Sequence, residues 1–140
     1  MNAMDRQPRR VVADKVTMAH GGGGKAMRDL IEDVFTSVFC PPGMEDQARL
    51  MDDALTVPGA RLAFTTDGFV VSPMEFPGGD IGKIAVCGTV NDLAVGGAKP
   101  LWLSAAFVIE EGVEISTLRR IAGSARRART LSTGISPTLS

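Results

Sequence analysis

The chain has 140 residues, a formal net charge of −1 and two cysteines, Cys40 and Cys87. This length suits one domain with its own core and excludes two independent catalytic modules. The near-neutral charge argues against nucleic acid or an anionic membrane as the main partner, and no apolar run approaches the roughly 20 residues that span a bilayer. The cysteines form neither a disulfide framework nor a CxxC metal pair. We therefore expect a cytoplasmic protein.

The chain begins with a predicted leader, followed by a glycine loop. Residues 1–15 are mostly polar and are predicted to be a disordered leader, with one short possible strand at Val11 and Val12. His20 is then followed by four glycines, whose backbone can approach a ligand closely. The run is either a flexible hinge or a loop that covers a phosphate, and in the second case His20, Gly22 and Gly23 are candidate binding residues.

A helix and a short strand are predicted next. Apolar residues from Met27 to Val38 recur at the spacing of one helical face, so a helix over 27–38 is expected to pack on a sheet. Residues 51–57 then form a strand candidate that carries Asp52 and Asp53. Adjacent side chains of a strand point to opposite faces, so at most one of the two is expected to share a site with Asp67. An exposed acidic pair and a metal ligand both stay open as interpretations.

The stretch 61–100 organises the rest of the chain. The apolar run 62–64 is predicted to be a buried strand that ends in Thr65, Thr66 and Asp67. Proline and glycines at 77–79 stop this pattern, and Asp80 is predicted to cap a helix.

That helix is predicted to carry polar residues at both of its ends. Lys83 lies in its first turn, Asn91 and Asp92 follow about three turns later, and the glycines at 96 and 97 end it. Carboxylates supply hard oxygen ligands for Mg²⁺, and a lysine supplies a point charge to a phosphate. Asp67, Lys83, Asp92 and Asp53 are therefore candidates for a magnesium nucleotide site. A surface carboxylate at Asp92 and a solvated lysine at Lys83 are the alternatives, and the chain contains neither a GxxxxGK[ST] nor a GxGxxG motif.

The C-terminal part is predicted to add a central buried strand at 101–109 and a helix that ends near Ala128. The arginines of this helix are interpreted mainly as a solvated surface. The element order predicts an α+β fold, a mixed sheet with helices on one face. The other sheet face is apolar and would need a cover, most simply a second copy of the chain.

Three segments resemble a known family. They are HGGGG at 20–24, FTTDGFVVSP at 64–73, and FPGGDIGKIAVCGTVNDLAVGGAKPLWLSAAFVIEEG at 76–112. They resemble the HypE family of hydrogenase maturation proteins. This family belongs to the superfamily that includes aminoimidazole ribonucleotide synthetase (PurM), the selenophosphate synthetases and thiamine-monophosphate kinase. The resemblance covers residues from about 16 to 124.

The resemblance implies a PurM N-terminal-like ATP-binding domain over 16–125. Its ATP and Mg²⁺ site would be built on the DD, TTD and NDLA patterns, with Thr66, Asp67, Lys83 and Asn91 at the nucleotide and Asp53, Asp67 and Asp92 at the metal. It also implies a homodimer whose sheets join into a barrel. Proteins of this family receive a carbamoyl group from HypF on a C-terminal cysteine and dehydrate it with ATP to a thiocyanate, the source of the cyanide ligands of [NiFe]-hydrogenase. The HypC–HypD complex is the further partner implied.

The end of the chain departs from the family pattern. We expect residues 126–140 to be a divergent, disordered tail that does not follow the family pattern. We also expect the chain to be truncated, without the second domain and the acceptor cysteine of the family. No catalytic residue is therefore assigned, and we expect that this polypeptide alone does not complete the cyanide-forming reaction. Two other functions stay open: a non-catalytic dimerisation or binding module, and an ATP-dependent PurM-like enzyme with another substrate.

Overall fold

The computed structural model describes residues 10–41, 47–50 and 52–133, without the side chain of Thr133. Its α-helices are α1 (Lys25–Leu30), α2 (Ser37–Phe39), α3 (Ile81–Val95) and α4 (Ile115–Thr133). Strands β1 (Glu75–Phe76) and β2 (Gly79–Asp80) form an antiparallel hairpin in which Glu75 faces Asp80 and Phe76 faces Gly79. Short 3₁₀ helices cover Met18–Gly21 and Asp53–Thr56.

The predicted helix 27–38 is present, with a π-helical segment in its middle. Helices α1 and α2 are joined by this segment, Ile31–Thr36, in which the Ser37 N–H donates to the carbonyl of Glu32. The Asp33 carbonyl instead accepts from Ser37 Oγ at 2.5 Å and from Arg119 Nη1 at 3.2 Å. The prediction that this helix packs on a sheet was wrong: it packs on α4, because the apolar side chains of Leu30 and Val34 share one core cluster with Ile115 and Leu118 of that helix.

Helix α3 has the predicted start and end. Asp80 is its N-cap and accepts a hydrogen bond from the Lys83 N–H at 2.9 Å. Gly96 caps the other end, and Gly97 adopts the positive φ of 71° that favours glycine after a helix. The helix packs closely on α4, since a Cβ added to Gly82 would lie 2.5 Å from the Ile121 carbonyl oxygen.

Helix α4 is longer than predicted. It continues five residues past Ala128 to Thr133, so part of the tail that was expected to be disordered is helical. Its buried residues are Ile115, Leu118, Ile121, Ala122, Ser124, Ala125 and Ala128. Residues 134–140 lie outside the described residues.

The predicted leader is held in place where the structure describes it. Lys15 bridges to Glu114, the Val16 N–H donates to the Val113 carbonyl at 2.8 Å, and the Val11 N–H donates to the Asp33 carboxylate at 2.7 Å. We call residues 10–16 the N-terminal strap. It contains no regular strand at Val11 and Val12, and residues 1–9 lie outside the described residues.

The predicted mixed sheet was wrong: in the part of the chain that the structure describes, the β1–β2 hairpin is the whole sheet. Residues 62–64 and 101–109 are not paired as strands, because no neighbouring segment supplies the backbone partners that a strand requires. Residues 52–57 were predicted as a strand and contain a 3₁₀ turn instead, since the Asp52 carboxylate accepts the Ala54 N–H at 2.8 Å and this local bond favours a turn. Met51 lies outside the described residues.

The architecture is α+β, as predicted, with two helical contacts and one hairpin. One core cluster lies between the strap, the first helix and α4, and a second contact is formed by α3 on α4. None of the helices in the described residues is both long and apolar enough to cross a membrane.

Candidate functional site

His20 is the most buried of the predicted site residues, with 8 % of its surface exposed. It lies in the 3₁₀ helix Met18–Gly21, whose N-cap is Thr17. Its Nδ1 accepts a hydrogen bond from the Thr17 N–H at 3.0 Å and lies 3.1 Å from Thr17 Oγ1. A single threonine therefore fixes the orientation of the imidazole ring.

The glycine loop that follows is exposed. Gly22 ends the 3₁₀ helix, and Gly23 has a φ of 73°, a conformation that other residues rarely adopt. A Cβ at Gly21, Gly23 or Gly24 would meet nothing within 4 Å, so packing within the chain does not require these glycines. Lys25, directly after the loop, forms an ion pair with Asp29 one helical turn away.

The carboxylates of the acidic pair, Asp52 and Asp53, differ in their hydrogen bonds. Asp52 caps the 3₁₀ helix with its side chain. The Asp53 carbonyl accepts from Thr56 Oγ1, whereas the Asp53 carboxylate makes no hydrogen bond or ion pair with any described residue. Of the two carboxylates, that of Asp53 is the one without a side-chain partner in the described part of the chain.

Thr66 and Asp67 lie in an exposed, extended segment. Within the described residues, Asp67 Oδ1 accepts a hydrogen bond from the N–H of the next residue, Gly68, at 2.7 Å. The segment is attached to α3 by Phe69, since a Cβ added to Gly88 would lie 2.7 Å from Phe69 Cζ. The Asp67 carboxylate thus lies at the surface beside α3.

Helix α3 carries the remaining predicted residues, but it separates them. Lys83 Nζ donates to the Gly78 carbonyl in the hairpin at 2.9 Å. Asp92 follows nine residues later, which is about two and a half turns and about 13 Å along the axis. The two side chains therefore project from opposite sides of the helix, and Asn91 lies about 80° from Lys83 around the axis. Asn91 and Asp92 are both exposed.

Lys83 lines a small cavity of about 120 Å³ between α3 and α4 that contains Cys87, Ser124 and Arg127 but none of the other predicted residues. Among the described residues, no group of three or more His, Cys, Asp or Glu side chains is arranged to hold a metal ion. Asp53, Asp67 and Asp92 nevertheless have the hard oxygen donors that suit Mg²⁺, which commonly takes one or two carboxylates together with nucleotide phosphates.

An ion pair between distant segments was missed by the sequence analysis. Arg119 donates from Nη1 to Asp33 Oδ1 at 2.7 Å and from Nη2 to Oδ2 at 2.6 Å. These hydrogen bonds hold the pKa of the Asp33 carboxyl below its usual value and raise that of Arg119, against the opposing effect of burial. The pair joins the π-helical segment to α4 and, through the Val11 N–H, to the N-terminal strap.

A second bidentate pair joins the hairpin to α4. Arg120 donates from Nε to Glu75 Oε1 at 2.7 Å and from Nη2 to Oε2 at 2.8 Å. The hydrogen bonds from Arg120 lower the pKa of Glu75. Arginines that were interpreted as a solvated surface therefore include two, Arg119 and Arg120, with structural roles. The partners are 86 and 45 residues apart, so no local sequence signal marks them.

Comparison with known proteins identifies the family of this chain. The family described as "AIR synthase related protein, N-terminal domain" matches residues 51–135, which include α3, α4 and the hairpin. The chain belongs to this family. The AIR synthase related domain thus contains most of the predicted site residues: Asp53, Thr66, Asp67, Lys83, Asn91 and Asp92.

Curated relatives of this AIR synthase related chain are hydrogenase maturation proteins. It is 77 % identical over 114 residues to carbamoyl dehydratase HypE of Rhodobacter capsulatus, an alignment that covers 81 % of this chain and 34 % of the relative. It is 49 % identical over 111 residues to carbamoyl dehydratase HypE of Escherichia coli (strain K12), covering 77 % of this chain and 33 % of the relative. The protein of the same name from Rhizobium leguminosarum bv. viciae is 48 % identical over 129 residues, covering 89 % of this chain and 36 % of the relative.

These alignments bear out the resemblance to the HypE family that the sequence motifs indicated. The chain spans about a third of the length of these curated relatives. No solved structure matches it.

Proposed function

We propose that this chain is an ATP- and Mg²⁺-binding domain of a cytoplasmic hydrogenase maturation factor of the HypE type. Its 77 % identity to a carbamoyl dehydratase HypE over most of its length carries the proposal. The state of the predicted residues supports it, because the side chains of Asp53, Thr66, Asn91 and Asp92 make no hydrogen bond or ion pair within the described residues. They are therefore available to a ligand.

Binding of the nucleotide would use the residues in two groups. Within the described residues the Lys83 ammonium group donates to one oxygen, the Gly78 carbonyl of the hairpin, and it can exchange that oxygen for a phosphate oxygen. Asp53, Asp67 and Asp92 would hold Mg²⁺, whose role when bound is to neutralise phosphate charge. Because Lys83 and Asp92 lie on opposite sides of α3, a bound triphosphate would have to extend around the helix, or a second copy would have to supply one of the groups.

The proposed reaction of the whole maturation factor is the ATP-dependent dehydration of a cysteine S-carboxamide to a thiocyanate, with HypF and the HypC–HypD complex as partners. Dehydration requires that the amide oxygen become a leaving group, and phosphoryl transfer from ATP provides one. The share of this reaction that we assign to the described domain is the binding and orientation of the nucleotide. An ATP-dependent reaction on another small substrate has no specific support among the relatives, which share the name HypE.

A homodimer is part of the proposal. The unpaired segments around 62–70 and 101–109 expose the large apolar side chains of Leu62, Phe64, Val70 and Val108. Extended segments with free backbone groups and exposed apolar residues are suited to pair with the same segments of a second copy. Such pairing would complete the sheet that one chain lacks.

Calorimetric titration with MgATP tests the nucleotide proposal. We expect binding by the wild-type chain and a loss of about tenfold in affinity for Lys83→Ala, because a charge-assisted hydrogen bond to phosphate is lost. Lys15→Ala is the matched control, since Lys15 forms an exposed ion pair with Glu114 away from α3, and it should bind as the wild type does.

A second candidate function is a non-catalytic dimerisation module. The observation that favours it is the exposure of Phe64, Val70 and Val108, which are large apolar residues in segments suited to pairing with a second copy. No measurable MgATP binding by the wild type, together with a stable dimer in solution, would support this function and contradict the first.

A further inference from the structure

We propose that His20 is held by Thr17 as a neutral hydrogen-bond donor and that its Nε2–H donates to a phosphate oxygen of the bound nucleotide. The ligand in this inference rests on the proposed function, whereas the state of the ring follows from the structure of the turn. The Nε2–H of His20 would position the phosphate at the start of the glycine loop.

The tautomer follows from the contact between His20 and the backbone of Thr17. The Thr17 N–H lies 3.0 Å from His20 Nδ1, and an amide N–H can only donate. Nδ1 must therefore carry the lone pair, and the single proton of the neutral ring is on Nε2. Thr17 Oγ1, at 3.1 Å, can donate to the same lone pair. The Thr17 carbonyl lies farther away, at 3.3 Å, and could accept only from the other tautomer.

The local backbone explains why this contact forms. Thr17 is the N-cap of the 3₁₀ helix, with an extended φ of −128° and ψ of 168°, and His20 is three positions further on. This is the arrangement of a capping box, in which the third helical residue accepts the otherwise unpaired N–H of the cap residue. The ring orientation is thus set by an element that does not depend on a ligand.

The other ring nitrogen is available. Within the described residues the His20 ring has hydrogen bonds only to Thr17, and each of them uses Nδ1, although just 8 % of the residue is exposed. A donor in such a setting pairs with water or with a ligand oxygen. The next four residues are glycines whose missing side chains leave open space at Gly21, Gly23 and Gly24. A phosphate can therefore approach this turn closely.

This assignment excludes two other roles for His20. A general base or a metal ligand needs a free lone pair on the ring, but the lone pair of Nδ1 is used by Thr17 and Nε2 carries the proton. The ring is restricted to donating, and the phosphate oxygens of the proposed nucleotide are acceptors that fit this donor.

Two substitutions of His20 test its capping role and its donor role separately. In His20→Asn the side-chain oxygen can replace Nδ1 as the acceptor of the Thr17 N–H, but no group remains at the position of Nε2. In His20→Gln the longer amide can place an N–H near the Nε2 position, while the acceptor at the cap is lost. We expect His20→Asn to keep the thermal midpoint of the wild type and to bind MgATP about tenfold more weakly. His20→Gln should keep more of the affinity and unfold at a lower temperature.

Nitrogen-15 NMR of the free chain tests the tautomer directly, because His20 is the single histidine of the sequence. The expected spectrum shows a protonated Nε2 and an unprotonated Nδ1, and a protonated Nδ1 would overturn the assignment. If the wild type and both variants bind MgATP with the same affinity, the donor role of His20 would be overturned, but the tautomer assignment would not. A wild type that binds no MgATP would overturn the proposed function and the nucleotide role together, whatever the NMR result.

Discussion

At the scale of single residues, Asp33 joins three parts of the chain: the N-terminal strap, the π-helical segment and α4. Its carboxylate accepts two hydrogen bonds from Arg119 and one from the Val11 N–H, and 12 % of the side chain is exposed. We expect Asp33→Asn to lower the free energy of unfolding by about 1 to 2 kcal/mol, because hydrogen bonds to a charged group are lost. Urea unfolding at pH 7 measures this. The control is Glu75→Gln in the exposed pair with Arg120, for which the change should be smaller.

Asp33 also predicts how the stability of the fold changes with pH. The pKa of Asp33 in the folded protein lies below its ordinary value of 3.8, mainly because of the hydrogen bonds from Arg119. The folded state therefore favours the charged carboxylate, and this contribution is complete above the unfolded pKa and is lost as the pH falls through the folded pKa. Unfolding midpoints measured from pH 6 down to about pH 2 should converge for the wild type and Asp33→Asn. An equal difference at every pH would contradict this account.

Single residues were predictable where their partner lies close in the sequence. Asp80 was recognised as the cap of α3 because its partner is the Lys83 N–H, three residues away. The bidentate pair of Asp33 and Arg119 was not predicted, because its two partners are 86 residues apart and an arginine on a helix surface usually faces solvent.

At the scale of elements, the closest helix contact is that of α3 with α4 at Gly82. A Cβ at this position would lie 2.5 Å from the backbone oxygen of Ile121, and a backbone atom cannot move aside as a side-chain end can. We expect Gly82→Ala to destabilise the fold by about 1 to 3 kcal/mol through forced separation of the helices. Thermal or urea unfolding gives the value. Gly24→Ala is the matched control, because a Cβ there meets nothing within 4 Å, and a similar loss in both variants would contradict the packing explanation.

Helices were predictable from the sequence and strands were not, for one physical reason. The bounds of α3 follow from a cap, an apolar run and terminal glycines, which act within a few residues. The segments 62–64 and 101–109 have the composition of strands, but a strand forms only when another segment bonds to its backbone. In the described chain no such segment lies beside them, and the apolar pattern alone could not reveal this.

The arrangement of the candidate site was also only partly predictable from the sequence. Composition and family resemblance named residues along α3 and its neighbouring segments, and the structure finds Asn91 and Asp92 exposed and available. The spacing of the motifs alone could not predict that no three acidic, histidine or cysteine side chains of the described residues form a metal-binding group, because such a grouping depends on how segments that are distant in the sequence pack.

At the scale of the whole molecule, the exposed extended segments predict self-association. Val70 and Val108 are fully exposed, in segments that have no backbone partner in the described chain. We expect the wild type to sediment as a dimer and the double variant Val70→Lys and Val108→Lys as a monomer, since charges placed in a pairing surface oppose association. Analytical ultracentrifugation over a range of concentrations measures this. Val12→Lys is the control, because Val12 is as exposed but lies in the N-terminal strap, and it should leave the dimer intact.

The N-terminal strap sets the order in which this molecule can be assembled on the ribosome. Val16 accepts and donates backbone hydrogen bonds with Gly112 and Val113, nearly a hundred residues later in the chain. This loop can close only after those residues have left the exit tunnel, and closing a long loop costs entropy before any contact repays it. During synthesis the apolar side chains of Leu30 and Val34 therefore stay exposed to water until Ile115 and Leu118 of α4 have emerged, so the nascent chain is expected to depend on chaperones more than its small size suggests.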